Sequence, residues 1–192
     1  MTQTGRSEQE LVKRSQRGDE DAFLELYLLY RDKVYRFAYR MLGERLGAED
    51  VTQDCFLILV RQLDRYDPAR AALGTYLYAV TRNLCHKRLR DTVQETAHED
   101  TVEVTHDDSG PLGELLVAEL SSQVAAAVAN LPDLQREVVV LFEFEGLSLS
   151  EIAVIASTDV GSVKSRLYRA RQRLRKSLDP YLRDSIRLAT EK

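Results

Sequence analysis

The stretch that decides the reading is Leu147–Arg175, LSLSEIAVIASTDVGSVKSRLYRARQRLR. It holds a short capped helix, a tight turn and a second helix dense in Arg and Lys. Ser148 and Glu151 have capping-box spacing, in which each side chain satisfies a free N–H of the first turn. Leu149, Ile152, Ala153 and Ile155 supply the apolar face of the first helix. Ser157-Thr158-Asp159 makes the turn, with Asp159 as N-cap of the second helix. Val163, Leu167, Ala170 and Leu174 recur every three to four residues, which turns one stripe inward. The other faces carry Lys164, Arg166, Arg169, Arg171, Arg173, Arg175 and Lys176, with no acid between Val160 and Leu178. A solvated surface helix mixes Glu with Lys. Uniform positive charge after a short turn is what a helix-turn-helix presents to the DNA major groove. Pro180 is expected to stop the helix soon after Leu178.

The chain has 192 residues and a formal net charge of −4, a balance that by itself predicts no nucleic-acid partner. The distribution does. Residues 91–130 hold nine acids and no Lys or Arg, so acidity concentrates in the middle. Cys55 and Cys85 form no CxxC pair and have no neighbouring His cluster; buried reduced thiols and no metal are expected. No signal peptide opens the chain, and no apolar run nears the ~18 residues of a membrane span. A soluble, cytoplasmic protein with no membrane insertion is expected. No Gly-rich phosphate loop, nucleophile motif or metal-ligand spacing appears, so neither an enzyme nor a cofactor is expected.

Helical periodicity runs through residues 7–90. Ser7 and Glu10 make a second capping box, opening a helix to about Arg17, which Gly18-Asp19 breaks. A longer helix carries the stripe Phe23, Leu26, Tyr27, Tyr30, Val34, Phe37, Ala38 and Met41. Gly43 and Gly47 bracket a turn. Residues 48–64 form a third helix, with apolar Val51, Cys55, Phe56, Leu59, Val60 and Leu63, and with Glu49 and Asp50 at its positive N-terminal end. A loop from Tyr66 to about Gly74 leads to a helix from about Thr75 to Arg90. The acidic, Thr-rich segment closed by Gly110-Pro111 has few large apolar residues and reads as a flexible linker. Helix resumes from Leu115, breaks at Pro132, and continues to Gly146 before the helix-turn-helix. The expected class is all-α: two small helical domains, 1–92 and 114–192, joined by a flexible acidic linker, 93–113.

With both halves in view, the chain resembles a bacterial RNA polymerase sigma factor of the extracytoplasmic-function type, which keeps only regions 2 and 4. The resemblance rests on six motifs in family order and spacing. In the first half they are AEDVTQDCF (Ala48–Phe56), DRYDPAR (Asp64–Arg70) and LYAVTRNL (Leu77–Leu84). In the second they are LPDLQREV (Leu131–Val138), GLSLSEIA (Gly146–Ala153) and VGSVKSRLYRAR (Val160–Arg171). The likeness covers nearly the whole chain.

The resemblance implies partners and roles. Asp50, Gln53 and Asp54 would dock on the clamp helices of the largest subunit of core RNA polymerase. The loop Asp64–Gly74 and the following helix would read the −10 element of promoter DNA, capturing a flipped base and holding the melted non-template strand. Flipped bases need stacking surfaces and polar edges. Tyr66, Arg70, Tyr76 and Asn83 are candidates, with His86, Lys87, Arg88 and Arg90 meeting phosphates. For either tyrosine, core packing competes with DNA contact. Lys164, Ser165, Tyr168 and Arg169 match the positions that read the −35 duplex, where Lys and Arg donate to guanine O6 and N7. Arg166, Arg171 and Arg173 would meet phosphate. An anti-sigma factor is an implied partner. The chain departs from many relatives at Ala71-Ala72-Leu73, at Tyr76, where Trp is common, and at Ser157, where Gly is common. The implied function is a promoter-specificity subunit without catalysis of its own. Two alternatives are a sigma-like decoy that sequesters an anti-sigma factor and a stand-alone helix-turn-helix repressor. The decoy does not need the intact basic helix, and the repressor leaves Ala48–Asn83 unexplained.

Overall fold

The structure is a computed structural model that describes residues 3–96 and 112–190, and every described element is helical. The first half contains α1 (Gln3–Gln16), α2 (Glu20–Leu42), α3 (Arg45–Gln62), a 3-10 turn (Leu63–Arg65) and α4 (Leu73–Thr96). The second contains α5 (Leu112–Ala129), α6 (Asp133–Val139), a π-helical turn (Val140–Phe144), α7 (Leu149–Ile155) and α8 (Val160–Thr190).

Local chemistry explains most boundaries. Gly18 takes a left-handed φ of 86°, and Asp19 caps α2 by accepting from the Ala22 N–H at 3.0 Å. Gly43 closes α2 with φ 75°. The α2 stripe is as expected: Leu26, Tyr30, Val34, Phe37, Ala38 and Met41 are buried, with Phe23 and Tyr27 partly so. Val60 departs from expectation. It is 55% exposed, because Leu59 and Leu63 already fill the inward side of that turn.

Several boundaries move. α1 begins at Gln3 rather than Ser7, and α4 begins at Leu73 rather than Thr75. α3 begins at Arg45, which places Gly47 inside its first turn rather than in the loop. A Cβ on Gly47 would stand 2.8 Å from Arg88 Nε, so the glycine lets α4's arginine cross that turn. The expected linker start at 93 falls inside α4, and α5 is already helical at Leu112. Residues 97–111, and with them the expected flexibility of the linker, lie outside the described residues. Pro180 does not stop α8, which continues to Thr190. A proline removes one intrahelical bond. The residues after it are mostly good helix formers and include no glycine, so the helix resumes.

The two domains pack against each other. One apolar cluster is internal to α1–α4, around Leu26, Phe56, Leu59 and Leu77. A second joins Phe37, Met41, Val51, Tyr78 and Cys85 of the first half to Val128, Leu131, Val138–Leu141, Ile152 and Leu167 of the second. Burial raises the thiols of Cys55 to about 11 and of Cys85 to about 12, as expected for inert core cysteines.

The turn between α7 and α8 holds the one non-glycine residue with positive φ among those described, Ser157 at φ 50°. A left-handed L-residue is strained by about 1–2 kcal/mol, while glycine loses about 0.5–1 kcal/mol more backbone entropy on folding. Ser157→Gly is therefore expected to stabilise the protein by up to about 1 kcal/mol, seen as a higher urea midpoint with unchanged slope. An unchanged or lower midpoint would mean that the serine side chain offsets the strain.

Candidate nucleic-acid interface

α7 and α8 form the expected helix-turn-helix. The capping box at Ser148 and Glu151 is complete: the Glu151 N–H donates to Ser148 Oγ at 3.3 Å, and the Ser148 N–H to Glu151 Oε2 at 2.9 Å. Asp159 accepts from the Ser162 N–H at 2.8 Å and its hydroxyl at 2.6 Å, which holds the carboxylate below its usual pKa range. Val163, Leu167 and Ala170 are buried, and Leu174 packs partly buried against the core. That burial turns Lys164, Ser165, Tyr168 and Arg169 outward, where the four line one shallow depression. Tyr168 is 66% exposed, an aromatic beside Lys164 and Arg169 in that depression.

The three expected phosphate residues of α8 divide. Arg173 is exposed. Arg166 donates to Glu137 at 3.1 Å, and Arg171 donates to Glu143 at 2.6 Å while lying 5.3 Å from the centre of the Phe142 ring. Both paired arginines face back toward α6 and the π turn rather than standing free at the groove side.

On the first half, Tyr66 is not an open stacking surface. It is 8% exposed, its hydroxyl donates to the Ala71 carbonyl at 2.8 Å, and its ring lies 5.5 Å from that of Tyr76. The loop closes on itself because this tyrosine joins the α1–α4 cluster. Tyr76 is half-buried and donates to Gln62 at 3.0 Å. Arg70, Asn83, Lys87 and Arg90 are exposed. Asn83 accepts from Arg82 at 3.2 Å.

Asp50, Gln53 and Asp54 are exposed on α3, opposite buried Cys55, Phe56 and Leu59. Asp50 accepts from Arg88 at 3.0 Å, and Arg88 also donates to Glu44 at 3.2 Å. A residue expected to meet DNA and a residue expected to meet polymerase are thus neighbours.

Sequence reasoning missed Arg82, Glu137, Arg40 and Glu145. Glu137 has a fully buried side chain and accepts from Arg82 Nε at 2.6 Å and Arg166 Nη1 at 3.1 Å; His86 Nε2 lies 2.6 Å from it. Glu145 accepts from the Tyr78 hydroxyl at 2.6 Å and from Arg40 at 3.4 Å. Burial and Glu145 together raise the Tyr78 phenol well above its usual pKa. The available signal is an acid, Glu137, directly abutting the apolar run Val138–Phe142, where a carboxylate needs buried partners.

A basic recognition helix in a capped helix-turn-helix, seated on a second helical unit with its own polar and cationic faces, defines an all-helical DNA-binding transcription protein. Residues 26–94 match the Sigma-70 region 2 family, and residues 121–174 match the Sigma-70, region 4 family. The chain is 34% identical to the ECF RNA polymerase sigma factor SigW of Bacillus subtilis, over 87% of this chain and 94% of that one. It is 33% identical to the RNA polymerase sigma-H factor of Pseudomonas aeruginosa, over 95% of this chain and 99% of that one. Among solved structures it is similar to the sigma factor RpoE bound to the anti-sigma factor NepR from Bartonella quintana. There the identity is 25% and the TM-score 0.67, covering 82% of this chain and 96% of that one. The fold is also shared with CnrH, solved with the cytosolic domain of CnrY, at TM-score 0.69 and 23% identity, covering 91% and 98% of the two chains.

The chain belongs to the extracytoplasmic-function RNA polymerase sigma factors of the sigma-70 family. It binds core RNA polymerase and directs promoter-specific initiation, as a member of a family of non-enzymatic initiation factors.

Proposed function

We propose that this sigma factor reads the −35 element through Lys164, Ser165, Tyr168 and Arg169. The observation that carries this is their shared depression on the outer face of α8, opposite its buried stripe. Cations and hydroxyls there can meet base edges in the major groove. Arg173 meets phosphate. Arg166 and Arg171 reach phosphate only by leaving Glu137 and Glu143. Residues 1–92 act as the polymerase-binding and −10 unit and 114–192 as the −35 unit, with 93–113 between them. Arg70, Tyr76, Asn83, His86, Lys87, Arg88 and Arg90 serve the −10 element, and Tyr66 supports the loop from beneath. An anti-sigma factor holds the free protein, by analogy with the relative solved with NepR. No described helix is long and apolar enough to cross a membrane, and the protein works beside polymerase in the cytoplasm.

The polymerase face is tested by changing Asp50, Gln53 and Asp54 together to Ala. All three are exposed, so helical circular dichroism should be unchanged while retention of core polymerase in a pull-down falls. Full retention by a folded triple variant would remove α3 from the polymerase interface.

A further inference from the structure

Two carboxylates of the second half hold the first. Glu137 of α6 engages Arg82 and His86 of α4, and Glu145 engages Tyr78 of α4 and Arg40 of α2. We propose that Glu137 stands in for a DNA phosphate. In this closed conformer it occupies Arg82 and His86, an anion site on α4 that a backbone phosphate of the promoter takes once the halves separate. The inference rests on the reading of α4 as the −10 face.

The chemistry of the site is that of phosphate recognition. Arg82 presents both Nε and Nη2 to Glu137, at 2.6 and 3.4 Å, the fork that guanidinium offers a carboxylate or a phosphate alike. His86, one turn on, meets the same oxygen as Arg82 Nε. Asn83, Lys87 and Arg90 are exposed and continue along α4 at helical spacing, so a bound strand would find further donors beside the pair.

The geometry makes the conformer self-inhibiting. Arg166 of the recognition helix reaches the same Glu137 that holds His86. The −35 and −10 elements stand ~25 base pairs apart by their names, or roughly 85 Å at about 3.4 Å per base pair. A chain that ties α4 to α8 through one carboxylate cannot place both on one promoter. The −35 face itself is open, so the closed form is blocked at the −10 step. Opening exchanges one anion for another at Arg82 and His86, which leaves no buried cation without a partner.

The test uses the full chain with a dye pair at two exposed sites, one per half, Glu20→Cys and Gln172→Cys, the native thiols being buried. Energy transfer should be high in the free protein and fall as a single-stranded −10 oligonucleotide is added. Glu137→Gln should lower transfer without DNA. Apparent affinity scales with the open fraction, so releasing a conformer open at about 10% or less should tighten oligonucleotide binding about tenfold. Because Glu137 also supports Arg166 within the second half, Tyr78→Phe with Glu145→Gln provides a second release that touches no residue assigned to DNA. It should shift both readings the same way. Unchanged transfer and affinity in both variants, with circular dichroism showing them folded, overturns the proposal. If both variants open yet affinity is unchanged, and Arg82→Ala does not weaken binding in the opened protein, the −10 reading of α4 fails. The phosphate-mimic role then falls with it, while the closed conformer stands.

Discussion

Arg169→Ala is expected to cost about 1–3 kcal/mol at the preferred −35 sequence and to relax preference at one or two base pairs. Arg169 lies one turn beyond Ser165, and both line the exposed depression on α8 with Lys164 and Tyr168. A guanidinium there reaches a guanine edge with two donors, and its loss removes discrimination as well as affinity. Arg173 lies a further turn along, where a helix entering the groove by its N-terminal part has moved out toward the backbone. Arg173→Ala is therefore expected to weaken all sequences alike and lower the salt slope by about one unit. Transcription with core polymerase from a library of randomised −35 elements separates the two. A changed consensus with Arg173→Ala, together with a uniform loss with Arg169→Ala, would reverse the assignment and reorient the docked helix.

Arg136→Met should destabilise the protein by about 2–4 kcal/mol. The Arg136 guanidinium is mostly buried and donates to the carbonyls of Met41, Ala129 and Leu131. Met41 and Ala129 lie at the C-terminal ends of α2 and α5, where unpaired carbonyls concentrate negative charge and favour a cation. Met fills similar volume but donates nothing. Each carbonyl left dry costs about 1–3 kcal/mol, less whatever water reaches it. Arg136→Lys should recover only part of the loss, since a single ammonium cannot span three acceptors in the fork geometry. Urea unfolding followed by circular dichroism measures both. A loss below about 0.5 kcal/mol for Arg136→Met would show that solvent serves those carbonyls.

The helix-turn-helix was legible because its determinants are local. A capping box needs residues three apart, an amphipathic stripe needs a period of 3.6, and the structure shows both at Ser148–Glu151 and Val163–Ala170. The same holds for the α2 stripe and for the exposure of Asp50, Gln53 and Asp54. The end of α8 lies beyond the position Pro180 suggests, because a proline stops a helix only when the following residues cannot resume it, and here they can. For Tyr66 the sequence leaves core packing and DNA contact open, because one aromatic in a loop carries no periodicity; the structure buries it against the α1–α4 cluster.

By itself, then, the sequence determined the all-helical class, the position of the recognition helix, which of its faces turns inward, and the family. Tertiary structure alone decided the partners of individual charges. Seven cations between Val160 and Leu178 look equivalent along the chain, yet Arg166 and Arg171 are held by carboxylates 29 and 28 positions away, while Lys164 and Arg169 line the open depression. Glu137 looks like a stray acid abutting an apolar run, and becomes the point where α4, α6 and α8 meet only when Arg82, 55 positions earlier, is folded against it. The physical reason is range. Helix formation and amphipathicity are written in spacings of three and four residues. A buried ion pair is created by desolvation, and desolvation exists only after distant elements have packed.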